Sequence, residues 1–129
     1  MRRMQTIHVL LVSSDLMATS RLAAAGREAG AEVDTLAAIA GTPRSATYDV
    51  VLLDLQSLAG DPAASVARGK VLGGDGAKVV AFGPHVRKER LDAAMIAGAD
   101  DAVSRGEVMG GIAALLARWC GGPPEGPGA

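Results

Sequence analysis

Four short, nearly unbroken apolar runs recur along the chain and constrain its fold more than any other feature. They lie at residues 7–12, 50–53, 79–82 and, more weakly, 102–103, and a more mixed stretch at 31–36 is a fifth candidate. A strand that is apolar on both faces is typical of a parallel sheet covered by helices on both sides. The runs therefore predict a buried parallel sheet.

Helical sequences separate the apolar runs. Their apolar spacing, their terminal glycines and a Pro62 that follows the capping residue Asp61 predict helices at 16–29, 61–72, 86–97 and 107–119. The segment between the second and third strands, residues 37–47, contains Gly41 and Pro43, so we expect a short or broken helix there.

Strands that alternate with helices at this spacing predict an α/β fold, a doubly wound parallel sheet in three α/β/α layers. The length of 129 residues suits one domain, which we place at 7–119. Residues 1–6 are then an N-terminal extension, and the Gly- and Pro-rich residues 120–129 are expected to be a disordered tail.

Composition excludes several classes of protein. With 13 basic and 14 acidic residues the chain lacks the basic surplus of a nucleic-acid binder, so no direct nucleic-acid partner is expected. Cys120 is the only cysteine, which excludes an intrachain disulfide. The first apolar run is too short for a signal peptide or a membrane span, so we expect a cytoplasmic protein without a membrane partner.

The carboxyl ends of the strands are where an open parallel sheet binds ligands. Asp54 directly follows four aliphatic residues, Val50 to Leu53, and would therefore stand at this edge. Its side chain either caps the following turn or carries a function, and its position alone favours neither.

The chain resembles the receiver domain of bacterial response regulators. The resemblance is carried by the segments 48–55 (Tyr-Asp-Val-Val-Leu-Leu-Asp-Leu) and 97–101 (Ala-Gly-Ala-Asp-Asp), by the order of elements and by the spacing from Gly83 to Gly98. It covers residues 7–118 and implies a flavodoxin-like sheet of five parallel strands in the order 2-1-3-4-5.

The resemblance implies that Asp54 occupies the position of the phosphoacceptor. The two acidic residues that hold Mg²⁺ in the family correspond to Ser13 and Ser14, which are not carboxylates. Mg²⁺ prefers carboxylate oxygens, so this replacement weakens the site severely. Asp15, one position later, is a ligand only if its loop bends inward; we therefore expect no metal, or weak Mg²⁺ binding by Asp15 and Asp54.

The switch residues of the family are also changed. The hydroxyl residue that follows the fourth strand corresponds to Gly83, and the aromatic residue of the fifth strand corresponds to Ala102. The lysine after the fifth strand corresponds to Arg105, for which we expect a structural ion pair with Asp54. Without a hydroxyl to attract or a ring to move, phosphorylation at Asp54 has no usual means of changing the conformation.

We therefore expect a stand-alone, degenerate receiver that is not an enzyme, has no cofactor and binds a protein partner in a signalling pathway. Its interaction face, which also serves a possible homodimer, is formed by the fourth helix, fifth strand and fifth helix of the family pattern and includes Arg87, Lys88, Arg90 and Asp92. One alternative is a conventional phosphorylated regulator that uses Asp54 and Asp15. Another is a small flavodoxin-like enzyme or nucleotide-binding protein.

Overall fold

The structure, a computed structural model, describes residues 6–120. In this range strands and α-helices follow one another as β1 (His8–Val12), α1 (Leu16–Glu28), β2 (Glu32–Leu36), β3 (Val50–Asp54), α2 (Pro62–Gly73), β4 (Lys78–Gly83), α3 (Lys88–Ile96), β5 (Asp101–Ser104) and α4 (Arg105–Trp119). The predicted extension and tail lie outside the described residues, apart from Thr6 and Cys120.

The five strands form one parallel sheet in the order β2-β1-β3-β4-β5. This confirms the predicted fold class and the strand order 2-1-3-4-5. Leu11 packs in a cluster with α1 and α4 residues such as Leu22 and Leu116, whereas its neighbour Leu10 packs with α2 residues such as Val66 on the other face. Burial on both faces explains why the strand sequences are apolar throughout.

The connection from β2 to β3 contains no helix, so the expected short or broken helix at 37–47 is wrong. Gly41 and Pro43 disfavour a helix, and the segment is held by side chains from elsewhere in the fold. Arg68 Nε donates to the Ile39 carbonyl oxygen at 3.0 Å, and the Ser45 N–H donates to the Tyr48 hydroxyl at 3.1 Å. The fourth and fifth helices of the family pattern are therefore α3 and α4 of this chain.

Two predicted helices begin differently in the structure. The helix predicted at 86–97 consists of a short 3-10 turn, His85–Arg87, followed by α3. The helix predicted at 107–119 begins two residues earlier, because Ser104 and Glu107 form a reciprocal capping box. Arg105 is consequently the first residue of α4. Within residues 6–120, no helix has the length and apolar character needed to cross a membrane.

Candidate functional site

Asp54 is the last residue of β3 and is completely buried at the carboxyl edge of the sheet. Both oxygens of its side chain accept hydrogen bonds from the chain itself. The Ser13 hydroxyl donates to Oδ2 at 2.7 Å, and the Gln56 backbone N–H donates to Oδ1 at 3.1 Å. A buried carboxylate needs such partners because its unpaired burial is costly. Asp54 is thus built into the edge of the sheet instead of facing solvent.

A group of serine hydroxyls surrounds this carboxylate. Ser13 is buried and its Oγ lies 3.3 Å from the Oγ of Ser57, while the Asp15 N–H donates to the same Ser13 oxygen at 3.1 Å. Ser14 points the other way: it is exposed, its N–H donates to Ser57 Oγ at 3.0 Å, and its hydroxyl donates to the Ser57 carbonyl oxygen at 3.1 Å. These bonds tie the β1–α1 loop to the β3–α2 loop.

Arg105 forms the expected ion pair with Asp54, but its shorter pair is with Asp15, which the sequence did not predict. Its Nη2 lies 3.2 Å from Asp15 Oδ2, whereas its Nη1 lies 4.0 Å from Asp54 Oδ2, at the limit of an ion pair. Nη1 also donates to the Gln56 side-chain oxygen at 3.4 Å. The physical reason is that Asp54 already has both oxygens bonded inside the protein, while Asp15 offers an accessible oxygen.

Asp15 is the N-cap of α1, so one of its oxygens is engaged by the helix while the other faces Arg105. Its Oδ1 accepts from the N–H groups of Met17 and Ala18 at 3.0 and 3.2 Å. The Ala18 N–H, followed by Arg105 and Met17, holds the pKa of the Asp15 carboxyl below its ordinary value, although burial acts in the opposite direction. The carboxylate is used in capping α1 and in neutralising Arg105.

We expect Asp15→Asn and Asp15→Ala to separate these two roles. Asparagine keeps the capping oxygen but loses the charge, and alanine loses both, so the thermal unfolding midpoint at neutral pH should fall from wild type to asparagine to alanine. Because the pKa of Asp15 is lower in the folded state, its ionised carboxylate stabilises the fold at pH values above the unfolded-state pKa of about 4. This stabilisation is lost as the pH falls through the folded-state pKa.

The advantage of wild type over Asp15→Asn should therefore disappear on acidification to about pH 2, as followed by circular dichroism melting. A difference that stays constant over the whole pH range would mean that the ionised carboxylate contributes nothing.

The residues at this edge do not fit a magnesium ion. Mg²⁺ takes oxygen ligands at about 2.0–2.1 Å and favours carboxylates. Here the hydroxyl of Ser13 donates a hydrogen bond to Asp54 Oδ2, and the guanidinium of Arg105 lies 4.0 Å from the same oxygen. Among the described residues, no cluster of three or more His, Cys, Asp or Glu side chains is placed to hold a metal.

The two switch positions lie where the sequence predicts them. Gly83 ends β4, is buried and pairs in register with Ser104 of β5. Ala102 lies in β5, is half-buried and pairs with Ala81. Neither residue carries a group that could contact Asp54 or fill a neighbouring space.

The four predicted interaction residues lie together on the 3-10 turn and α3, but they are not equivalent. Arg87 and Lys88 are exposed and form ion pairs with Glu89 and Asp92 at 3.7 and 3.6 Å. Arg90 is half-buried, and its Nη2 donates to the carbonyl oxygens of Leu55 and Gly60 at 3.1 and 3.4 Å. Arg90 therefore anchors the β3–α2 loop.

Sequence reasoning missed two residues of the site, Gln56 and Ser57. Both follow Asp54 in the β3–α2 loop, and one contributes a backbone N–H while the other contributes a hydroxyl. The clustering of three serines near two strand ends, at positions 13, 14 and 57, was a signal in the sequence. Their mutual contacts depend on loop conformations, which the sequence pattern does not specify.

Comparison with known proteins supports the architecture. No family model and no curated protein matches the sequence. Among solved structures, the chemotaxis response regulator CheY4 of Vibrio cholerae superposes with a TM-score of 0.63 at 17% identity, covering 89% of this chain and 99% of that one. The receiver domain of a Pseudomonas aeruginosa sensor histidine kinase, solved with magnesium coordinated in its active-site cleft, gives 0.66 at 19% identity, covering 91% and 99%.

A protein assigned to pilus assembly, cpaE from Burkholderia thailandensis, gives a TM-score of 0.70 at 19% identity, covering 90% of this chain and 99% of that one. These matches extend over nearly the whole receiver architecture but share few residues with this chain. Together with the strand order and the position of Asp54 at the end of β3, they confirm the resemblance at the level of the fold. The chain therefore has the fold of the receiver domains of response regulators.

Proposed function

We propose that this chain is a phosphorylation-independent, receiver-like module that acts in signalling by binding a protein partner. The observation that carries the proposal is the state of Asp54, which is fully buried and bonded through both oxygens to Ser13 and Gln56. A phosphoacceptor must present a carboxylate oxygen to the incoming phosphoryl group. Here that oxygen first has to break a 2.7 Å hydrogen bond and emerge from the protein.

The charges around Asp54 also oppose phosphoryl transfer. Catalysis of this reaction relies on positioning and on neutralising the phosphoryl oxygens, usually with a divalent metal. Ser13 and Ser14 supply neutral hydroxyls where two carboxylates would be needed, and Asp15 is committed to α1 and Arg105. This arrangement also counts against a conventional regulator that uses Asp15 as its metal ligand.

The cavity beside the site is small for a cofactor or substrate pocket. It has a volume of about 230 Å³, whereas pockets for small-molecule ligands and cofactors measure about 300–1,000 Å³. A nucleotide or flavin would find too little room there. This observation counts against the alternative of a small flavodoxin-like enzyme or nucleotide-binding protein.

The proposed output surface comprises α3, β5 and α4. Its exposed pairs, Arg87 with Glu89 and Lys88 with Asp92, contribute little to stability because surface ion pairs are typically worth about 0–1 kcal/mol. Their charges can therefore be exchanged for pairs with a partner, or with a second copy of the chain, at little energetic cost.

Treatment with acetyl phosphate and Mg²⁺, or with beryllofluoride and Mg²⁺, tests the proposal directly. We expect no phosphoryl mass gain by intact mass spectrometry and no change in the thermal unfolding midpoint, because Asp54 is inaccessible and no metal site assembles. A conventional receiver treated in parallel provides the positive control. A mass gain that disappears in Asp54→Asn would show that the chain is a phosphorylated regulator and would overturn the proposal.

A further inference from the structure

A groove lies next to the buried carboxylate, between the β3–α2 loop and the start of α3. Its volume is about 230 Å³, and its apolar walls come chiefly from Leu55, Leu58 and Leu91. The first two leucines are buried in the fold and the third is partly buried, so this apolar surface is held rigidly. The groove is thus a formed feature of the fold.

Gly83 keeps this groove open. A Cβ atom placed on Gly83 would meet only Leu55 Cβ at 3.9 Å and Leu91 Cδ2 at 4.0 Å, which are ordinary contact distances. Close packing therefore does not require glycine here. Any larger side chain would occupy part of the space between these two leucines, so the absence of a side chain at Gly83 creates room for an external group.

The charge at the groove is positive. Arg87 and Arg90 line it, and among the described residues 6–120 no acidic side chain does. Arg90 is held in place by the carbonyl oxygens of Leu55 and Gly60, whereas the Arg87 side chain is 59% exposed and has only the 3.7 Å pair with Glu89. Arg87 is therefore the cation available to an incoming anion.

The volume of the groove and the chemistry of its lining residues indicate which kind of group could bind in it. The volume suits one or two side chains and is too small for a nucleotide. Val86, next to Arg87 in the chain, is 73% exposed. An aliphatic side chain matches the leucine walls, and flanking carboxylates match Arg87.

We propose that this groove binds a short acidic segment of a partner protein, with an aliphatic side chain inserted between Leu55 and Leu91 and a carboxylate paired with Arg87. This inference rests on the proposed function, because it specifies the partner chemistry of the same interaction module. It differs from a contact through the outer faces of α3, β5 and α4, since the groove opens at the carboxyl edge of the sheet.

The test uses a fluorescently labelled probe peptide, acetyl-Asp-Glu-Leu-Leu-Asp-Glu-amide, titrated with the full chain and followed by anisotropy. The binding position is mapped from amide chemical-shift changes in nuclear magnetic resonance spectra. Two variants alter the groove: Arg87→Glu reverses its charge and Gly83→Val fills it. Arg21→Glu is the matched control, because it makes the same charge reversal at an exposed position of α1 that does not line the groove.

We expect shifts centred on Ala59, Gly83 and Leu91, and weakening by about tenfold or more in Arg87→Glu and in Gly83→Val. Arg21→Glu should change the affinity by less than about threefold, since Arg21 lies on α1 and does not line the groove. A peptide with lysine in place of its acidic residues, and one with serine in place of its leucines, should not bind. Thermal melts establish that each variant is folded.

The assignment is overturned by an absence of shifts at about 1 mM peptide, by equal weakening in Arg21→Glu and Arg87→Glu, or by equal binding of the lysine peptide. If the peptide fails to bind while acetyl phosphate leaves Asp54 unmodified, the groove assignment is wrong and the proposed function stands. If Asp54 becomes phosphorylated, the proposed function is wrong whether or not the peptide binds.

Discussion

Asp54→Ala is expected to lower the free energy of unfolding by about 2–4 kcal/mol, a large effect for a residue at the edge of a sheet. The substitution leaves the Ser13 hydroxyl and the Gln56 N–H without their acceptors, and Ser13 is buried. Each unsatisfied donor costs about 1–3 kcal/mol where water cannot replace the lost partner. Urea unfolding followed by circular dichroism measures the change.

Two control variants test whether the loss of stability comes from the hydrogen bonds that Asp54 accepts. Asp54→Asn keeps an oxygen that can accept one of the two bonds, so we expect it to be less destabilising than alanine. Asp75→Ala removes a carboxyl from an exposed position and should change stability by no more than about 0.5 kcal/mol. If Asp54→Ala were as stable as wild type, the bonds to Ser13 and Gln56 would be dispensable, and Asp54 would be available for another role.

Much of the fold was predictable because a strand that is buried on both faces has a continuously apolar sequence. Residues 50–53 and 79–82 became the central strands β3 and β4, and the glycines that follow the first and third α-helices, Gly30 and Gly98, both adopt positive φ. The prediction of a short or broken helix at 37–47 failed for a physical reason. That segment is held by distant side chains such as Arg68, and a contact of this kind has no local sequence pattern.

The sequence predicted where the site lies in the fold, but not which of its side chains pair with one another. Parallel strands bring Ser13, Asp54 and Arg105 to one edge of the sheet, so their proximity follows from the order of elements. The partner of Arg105 does not follow, because it depends on which carboxylates are already satisfied within the protein. Asp54 is already bonded to Ser13 and Gln56 and pairs with Arg105 only at 4.0 Å, so Asp15 is the nearer partner, at 3.2 Å.

These contacts also show how the buried carboxylate of Asp54 is held within the protein. In a site with several acidic residues, a buried aspartate is held by a cation that compensates the collected negative charge. In this chain the Ser13 hydroxyl and the Gln56 backbone N–H donate to the Asp54 carboxylate, and Arg105 Nη1 lies 4.0 Å from Asp54 Oδ2. We therefore propose that this edge of the sheet needs no metal for its stability, and that adding one acidic residue introduces such a need.

Ser13→Asp is expected to destabilise the protein by about 3 kcal/mol or more at neutral pH and to make its stability depend on Mg²⁺. The Ser13 hydroxyl lies 2.7 Å from Asp54 Oδ2, so the substitution replaces a hydrogen-bond donor with a second carboxyl group. Two carboxyl groups at this separation cannot both ionise freely, and the pKa of one is raised. A raised folded-state pKa means that the free energy of unfolding falls as the pH rises above about 4.

Magnesium should reverse most of this loss, because two adjacent carboxylates form the ligand pair that the wild-type site lacks. At about 100 times its dissociation constant the ion would add about 2.7 kcal/mol to the free energy of unfolding, which a thermal melt in MgCl₂ against NaCl of equal ionic strength detects. Ser14→Asp is the control: Ser14 is exposed and its hydroxyl faces the Ser57 carbonyl, so a carboxylate there should cost less and respond weakly to Mg²⁺. Equal stabilisation of wild type by Mg²⁺ would show that Ser13 and Asp54 already hold the ion, and it would contradict a metal-free site.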